Sequence, residues 1–169
     1  YAHSETLKAN RLAQETAEAR APATDTATEP DYVQLVTELR AALEARPGDI
    51  QGHELLAKAE SRLGNFASAH QAQARVLELK GAEATADEWY AYAELLIMAA
   101  DTYISREAET ALREALRRDP NHKLALFRMG MYFDAIGRPD RTFGIWRKLL
   151  EAGPDTAPHI PVLRPHIQN

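Results

Sequence analysis

Gly64 ahead of Phe66-Ala67-Ser68-Ala69, Pro120 after Leu116-Arg117-Arg118-Asp119, and Gly137 ahead of Arg138-Pro139 punctuate the chain at the spacing of a helix-turn-helix repeat of about 34 residues. A unit of two short amphipathic helices cannot bury its apolar face alone. Several units must therefore stack, and the stack curves into a superhelix whose concave surface suits peptides or helices. The spacing thus predicts an all-α fold of about three helical hairpins and a binding module.

Composition narrows the class further. The 169 residues are 45 % apolar and 27 % charged, ordinary for a folded domain with an appended tail. The net charge of −5 is mixed in sign along the helices and offers no basic stripe for phosphates, so no nucleic acid is expected. The longest apolar run, Leu95 to Ala100, is far short of the roughly 20 residues that cross a bilayer. With no initial Met and no basic-then-apolar leader, the chain reads as a trimmed one, reaching a membrane only through a tether absent from it. Zero cysteines exclude a disulfide scaffold, a thiol nucleophile and covalent haem attachment through Cys-x-x-Cys-His.

Residues 1–30 are rich in Ala, Thr and Glu and read as a linker or tether, with a marginal helix from Ser4 to Arg20. The repeat domain is expected over 31–169. A first helix at 31–46 carries Val33, Leu35, Val36, Leu39 and Leu43 at helical spacing and stops at Pro47-Gly48. Hairpins follow at 50–80, 86–120 and 123–154, and a short C-terminal cap at 155–169. The middle turn, Asp101-Thr102-Tyr103-Ile104, is longer than its neighbours, and Ser105 is placed as an N-cap.

Features that suggest chemistry carry little. Six histidines show no His-x-x-x-His pair or carboxylate at ligand spacing, so no metal is expected; His53 reads as a packing residue and His122 as a loop residue. Arg113-Glu114 with Arg117-Arg118 reads as a solvated face with local ion pairs. Trp89 and Trp146 fall at packing positions. No phosphate loop or nucleophile elbow is present, so neither catalysis nor a cofactor is expected.

The hairpins resemble tetratricopeptide repeats. The first supplies Leu56-Ala57, Ala69 and Val76 to that pattern, the second Trp89, Tyr92-Ala93, Ala108, Ala115 and Pro120, and the third Leu126, Met129-Gly130, Trp146 and Pro154. His53, Gln73 and Thr142 depart from it. Tyr103-Ile104-Ser105-Arg106-Glu107-Ala108-Glu109, Ala115-Leu116-Arg117-Arg118-Asp119-Pro120-Asn121-His122, and Gly137-Arg138-Pro139 leading to Ile145-Trp146-Arg147-Lys148-Leu149-Leu150 carry a narrower likeness. These phrases resemble the periplasmic C-terminal domain of the CcmI (CycH) family of cytochrome c maturation proteins, over about Asp31 to Ile167; NrfG, the repeat subunit of a nitrite reductase haem lyase, shares the layout. The resemblance implies a periplasmic, membrane-tethered chaperone module that captures apocytochrome c, chiefly by its C-terminal helix, and delivers it to haem ligation proteins; the alternatives are a haem-lyase accessory subunit whose groove holds a partner of the ligation complex, and a general scaffold for envelope proteins.

It also implies which side chains line the groove. The first hairpin then offers a polar wall of Gln51, Glu54, Lys58, Ser61 and Arg62. The second offers Asp87, Tyr90, Glu94, Ile97 and Met98, and the third Leu124, Phe127, Met131, Asp134 and Ala135. Tyr90, Ile97, Met98, Phe127 and Met131 are expected to receive the apolar face of a partner helix, with Leu124 beside them and Lys58, Arg62 and Arg128 at the rim. The competing expectation is that these residues pack against the next repeat or the C-terminal segment. Phe127→Glu separates the two: lost peptide binding with unchanged helicity and melting marks a groove residue, and unfolding marks a core one.

Overall fold

The computed structural model describes residues 30–151; the expected tether at 1–30, apart from Pro30, and the cap at 155–169 lie outside them. Among the described residues there are seven α-helices and no strand: α1 (Tyr32–Ala45), α2 (Ile50–Arg62), α3 (Phe66–Lys80), α4 (Ala86–Ala99), α5 (Arg106–Arg118), α6 (Lys123–Ala135) and α7 (Pro139–Glu151). Each packs on the helix before it and the helix after it. The result is a stack of three hairpins, α2–α3, α4–α5 and α6–α7, with α1 as a single helix at one end.

Local chemistry starts most of these helices. Asp31 and Asp49 cap α1 and α2 by accepting from the amides of Gln34 and Gly52 at 3.2 Å. Thr85 and Glu88 form a reciprocal capping box on α4, and Ser105 caps α5 as its position predicts. Gly64 and Gly137 turn the outer hairpins in the left-handed conformation, at φ 77° and 73°. The longer middle turn uses Asp101 and Thr102 there instead, at φ 51° and 72°.

The helices meet through small residues. Nearly half of the buried apolar residues among those described are alanine, and Ala59, Ala69, Ala93, Ala108 and Ala115 are completely buried. Such residues let backbones approach closely. Gly130 shows the limit: a Cβ there would sit 1.8 Å from Nε1 of Trp146. Trp146 is buried with Leu126 and Leu149, joining α6 to α7. Ala93, Leu112, Met129 and Phe133 join α4, α5 and α6 in a second cluster.

Each departure from the repeat pattern proves to be a hydrogen-bond donor aimed at a backbone carbonyl. His53 donates from Nε2 to Pro47 at 2.8 Å, Gln73 to Glu88 at 3.1 Å, and Thr142 to Arg138 at 3.2 Å. All three are buried, so each of these donors is satisfied inside the stack. Glu60 extends the theme with a charge. Its side chain is 2 % exposed, with one oxygen 2.7 Å from Arg40 on α1 and the other accepting from Asn65 at 2.9 Å. Arg118 corrects an expectation: only Arg113 and Arg117 face solvent, whereas Arg118 lies over the Trp89 ring, 5.1 Å from its centroid, and donates to the Ala84 carbonyl at 2.7 Å. Its stem must cross the hairpin to reach that carbonyl.

Two glycine substitutions should move stability in opposite directions. Gly130→Ala drives a methyl into the Trp146 indole and should cost about 1–3 kcal/mol. Gly144→Ala, on exposed α7 with nothing described within 4 Å, should gain up to about 1 kcal/mol from helix propensity. Thermal melts by circular dichroism check both; a neutral Gly130→Ala would mean that Trp146 is free to move aside.

Candidate functional site

The stack forms an open cavity of about 780 Å³ between the first helices of two neighbouring hairpins, α2 and α4, with α3 behind them. From α2 come Glu54, Ala57, Lys58, Ser61 and Arg62, whose spacing puts them on one face. Asp87, Glu88, Ala91, Glu94 and Leu95 of α4 form the opposite wall, and Gln73 and Lys80 close it from α3. Ala57, Ala91 and Leu95 make an apolar floor flanked by charge.

The acidic groups in this cavity are answered from within the protein. Lys80 lies between two of them, 2.7 Å from Glu88 and 3.2 Å from Glu54, and these hydrogen bonds, Glu88 first, hold its ammonium above the ordinary lysine value. Burial pushes the Glu88 carboxyl up, but Lys80 and the capping donors of Thr85 outweigh it and bring the group below the usual carboxylate range. Arg128 of α6 holds Glu94 with two nitrogens, at 2.5 and 3.1 Å. Asp87 meets Nε2 of His122 at 2.7 Å.

His122 is therefore more than a loop residue. Its Nδ1 accepts from the Ala125 amide at 3.2 Å and caps α6, which leaves the proton on Nε2 to be donated to Asp87. Tyr90 stacks beside it with ring centroids 5.1 Å apart and donates to Glu94 at 2.6 Å. Burial first, and then that bond, push the Tyr90 phenol above its ordinary range. One network thus ties α4 to α6 along the concave side.

The structure distributes the expected groove residues over several settings. Lys58, Arg62 and Glu94 line the large cavity. Tyr90 and Arg128 are half-buried in the α4–α6 network, and Met131 accepts from Arg128 through its sulfur at 3.7 Å. Leu124 is exposed, and Phe127 packs against the Leu126–Trp146–Leu149 cluster, so Phe127→Glu should disturb that core as well as any ligand. Met98 is exposed beside a smaller cavity of about 370 Å³ at the Gly64–Ser68 turn, away from the large one. Ile97 is a correction: it is completely buried with Leu96 and Ala108 between α4 and α5, because it falls on the α5-facing side of its helix. The larger cavity therefore lies along the wall expected to be polar. Lys80 and His122 were not anticipated as contributors; Lys80 just before Gly81, and His122 just after Pro120-Asn121, are the signals available in the sequence.

Among the described residues no three His, Asp or Glu side chains gather as metal ligands, and no helix is long and apolar enough to cross a membrane.

Comparison with known proteins gives a consistent result. The family model described as "Cytochrome c-type biogenesis protein H TPR domain" matches residues 5–160. The cytochrome c-type biogenesis protein CycH of Rhizobium meliloti is 30 % identical over 133 residues, 79 % of this chain and 34 % of that protein. CycH of Bradyrhizobium diazoefficiens is 30 % identical over 132 residues, 77 % of this chain and 35 % of that protein. The chain thus spans about a third of the length of these relatives. Two crystal structures of MamA superpose with TM-scores of 0.62 and 0.66 at 18 % identity, covering 73 % and 81 % of this chain and 70 % of each MamA chain. The fold is an all-α tetratricopeptide-repeat superhelix.

The Glu88 carboxyl makes stability depend on pH. Its value is lower in the folded state, so its contribution is complete above about pH 5 and is lost as pH falls through the lowered value. Glu88→Gln keeps an acceptor for the Thr85 cap but removes the charge facing Lys80. Its melting temperature should be lower at pH 7, by the equivalent of about 1 kcal/mol or less, and should converge on the unsubstituted chain's near pH 3. A gap that persists at pH 3 would assign the loss to packing rather than charge.

Proposed function

Since this chain belongs to the CycH tetratricopeptide-repeat family of cytochrome c-type biogenesis proteins, we propose that it is a non-catalytic chaperone module that holds apocytochrome c in its concave groove. The cargo segment is chiefly the C-terminal helix of the apocytochrome, which the module then passes to the haem ligation machinery. Its place is the periplasm, with the inner-membrane tether carried by a part of the protein outside this chain. Family membership gives the role in cytochrome c biogenesis and the repeat fold as an interaction module. The observation that carries the finer reading is the cavity between α2 and α4, where an apolar floor runs between charged flanks.

That cross-section complements an amphipathic helix: an apolar stripe rests on Ala57, Ala91 and Leu95, and polar side chains meet the walls. Lys58, Arg62 and Glu94 are the contacts at this cavity, and Tyr90, Arg128, Leu124, Phe127 and Met131 extend the surface towards α6. Nothing in this arrangement requires a reacting atom. A module that must also release its cargo binds with moderate affinity and orders the bound segment on contact.

Calorimetric titration tests this with three ligands: a peptide of the C-terminal helix of a c-type apocytochrome from the same organism, its scrambled counterpart, and the folded holocytochrome. Saturable binding of the first and not of the other two is the expected outcome. Equal affinity for the native and scrambled peptides, or binding of none, would overturn cargo recognition and leave a scaffold for other proteins of cytochrome biogenesis.

A further inference from the structure

The charges around the α2–α4 cavity are not evenly paired, and the ones left without an ion pair describe the ligand. Every acidic side chain that lines it has a cationic or donor partner: Glu54 and Glu88 share Lys80, Glu94 holds Arg128, and Asp87 meets His122. Lys58 and Arg62 differ. Both are exposed, both line the cavity, and neither forms an ion pair among the described residues. They stand one helical turn apart on the same wall, with Ser61 between them, above the apolar floor of Ala57 and Leu95.

We infer that the groove selects an amphipathic peptide helix whose flank towards α2 carries a pair of carboxylates one turn apart, and that Lys58 and Arg62 are the specificity-determining residues that read it. This deepens the proposed cargo binding and rests on that reading. The spacing argument is geometric. Residues four apart on a helix recur on one face at nearly the pitch of the helix, so Asp or Glu at i and i+4 of a helix lying along α2 face Lys58 and Arg62 in register. The other flank has no such demand, because each acid of α4 already has a partner in the protein: Lys80 for Glu88, Arg128 for Glu94 and the Nε2–H of His122 for Asp87. The apolar stripe supplies most of the affinity, while the two cations set which helices bind and which way round they lie. A helix with lysines on that flank would oppose two uncompensated positive charges and be rejected.

The test uses two helical peptides with the same leucine stripe, one with Glu and one with Lys at i and i+4 on the same flank, together with the apocytochrome peptide. Titrations employ the whole chain and a Lys58→Glu, Arg62→Glu variant. Both side chains are exposed, so the variant should keep its helicity and melting temperature. The expected result is that the Glu peptide binds the unsubstituted chain about tenfold or more tightly than the Lys peptide, that the preference inverts in the variant, and that added salt erodes it. Equal binding of the two peptides, or a preference unchanged by charge reversal, overturns the inference. So does a preference that arises only because the variant changes the mass of the particle in light scattering, since a second copy would then be the occupant. The apocytochrome peptide separates the two claims. If it binds chain and variant equally, cargo capture stands and charge reading fails; if the Glu peptide alone binds, charge reading stands and cytochrome capture fails.

Discussion

Close approach between helices at alanine and glycine is the constraint on which this structure depends. An alanine removes little apolar area from water, and at about 25 cal/mol per Å² one hairpin gains too little to fold alone. The gain comes from repetition, with α3 closing on α2 and then on α4, and α5 on α4 and then on α6. Where the approach is tightest no side chain fits at all, as at Gly130 beneath the Trp146 indole. The bulky residues, Trp89, Leu112, Phe133 and Trp146, fill what the small ones leave open.

Polar groups then fix how neighbouring units sit. His53, Gln73 and Thr142 break the apolar repeat pattern, yet each delivers a proton to a carbonyl. Gln73 does so across the boundary between hairpins and His53 across the α1–α2 turn. An apolar residue at those positions would pack but would lose the directional bond. The Asp87–His122 and Glu94–Arg128 contacts serve the next boundary in the same manner. Apolar packing thus decides that the helices stack, and directional bonds decide at what angle.

Helices and turns were legible because punctuation and period agree. Pro47-Gly48, Gly64 and Gly137 lie where α1, α2 and α6 end. The depth of the groove was not legible in the same way. A pattern of concave positions treats every repeat alike, whereas enclosure depends on the size of the side chains there. Along α4 and α6, the large side chains of Tyr90, Arg128, Met131 and Phe127 are partly buried against their neighbours. Along α2 and α4, Ala57, Ser61 and Ala91 leave the groove open. Ile97 was misplaced for a related reason, since a long apolar run on α4 does not say which of its faces α5 will cover. His122 was hidden because a single imidazole that caps one helix while bonding another needs two elements in space before either role is visible.

A stack joined almost wholly between consecutive helices also has a simple folding problem. Few long loops must close before contacts form, which is the topology of fast folders, and such chains melt from their ends inward. Among the described residues, the cavity between α2 and α4 has three helices beyond it on one side and α1 on the other. On that short side, α1 buries only Leu43 fully and is pinned through Arg40 to the enclosed carboxylate of Glu60, which in turn grips the α2–α3 turn through Asn65. Among the described residues, fraying from that side must therefore strip α1 from α2, and part the Arg40–Glu60 pair, before it reaches the groove wall.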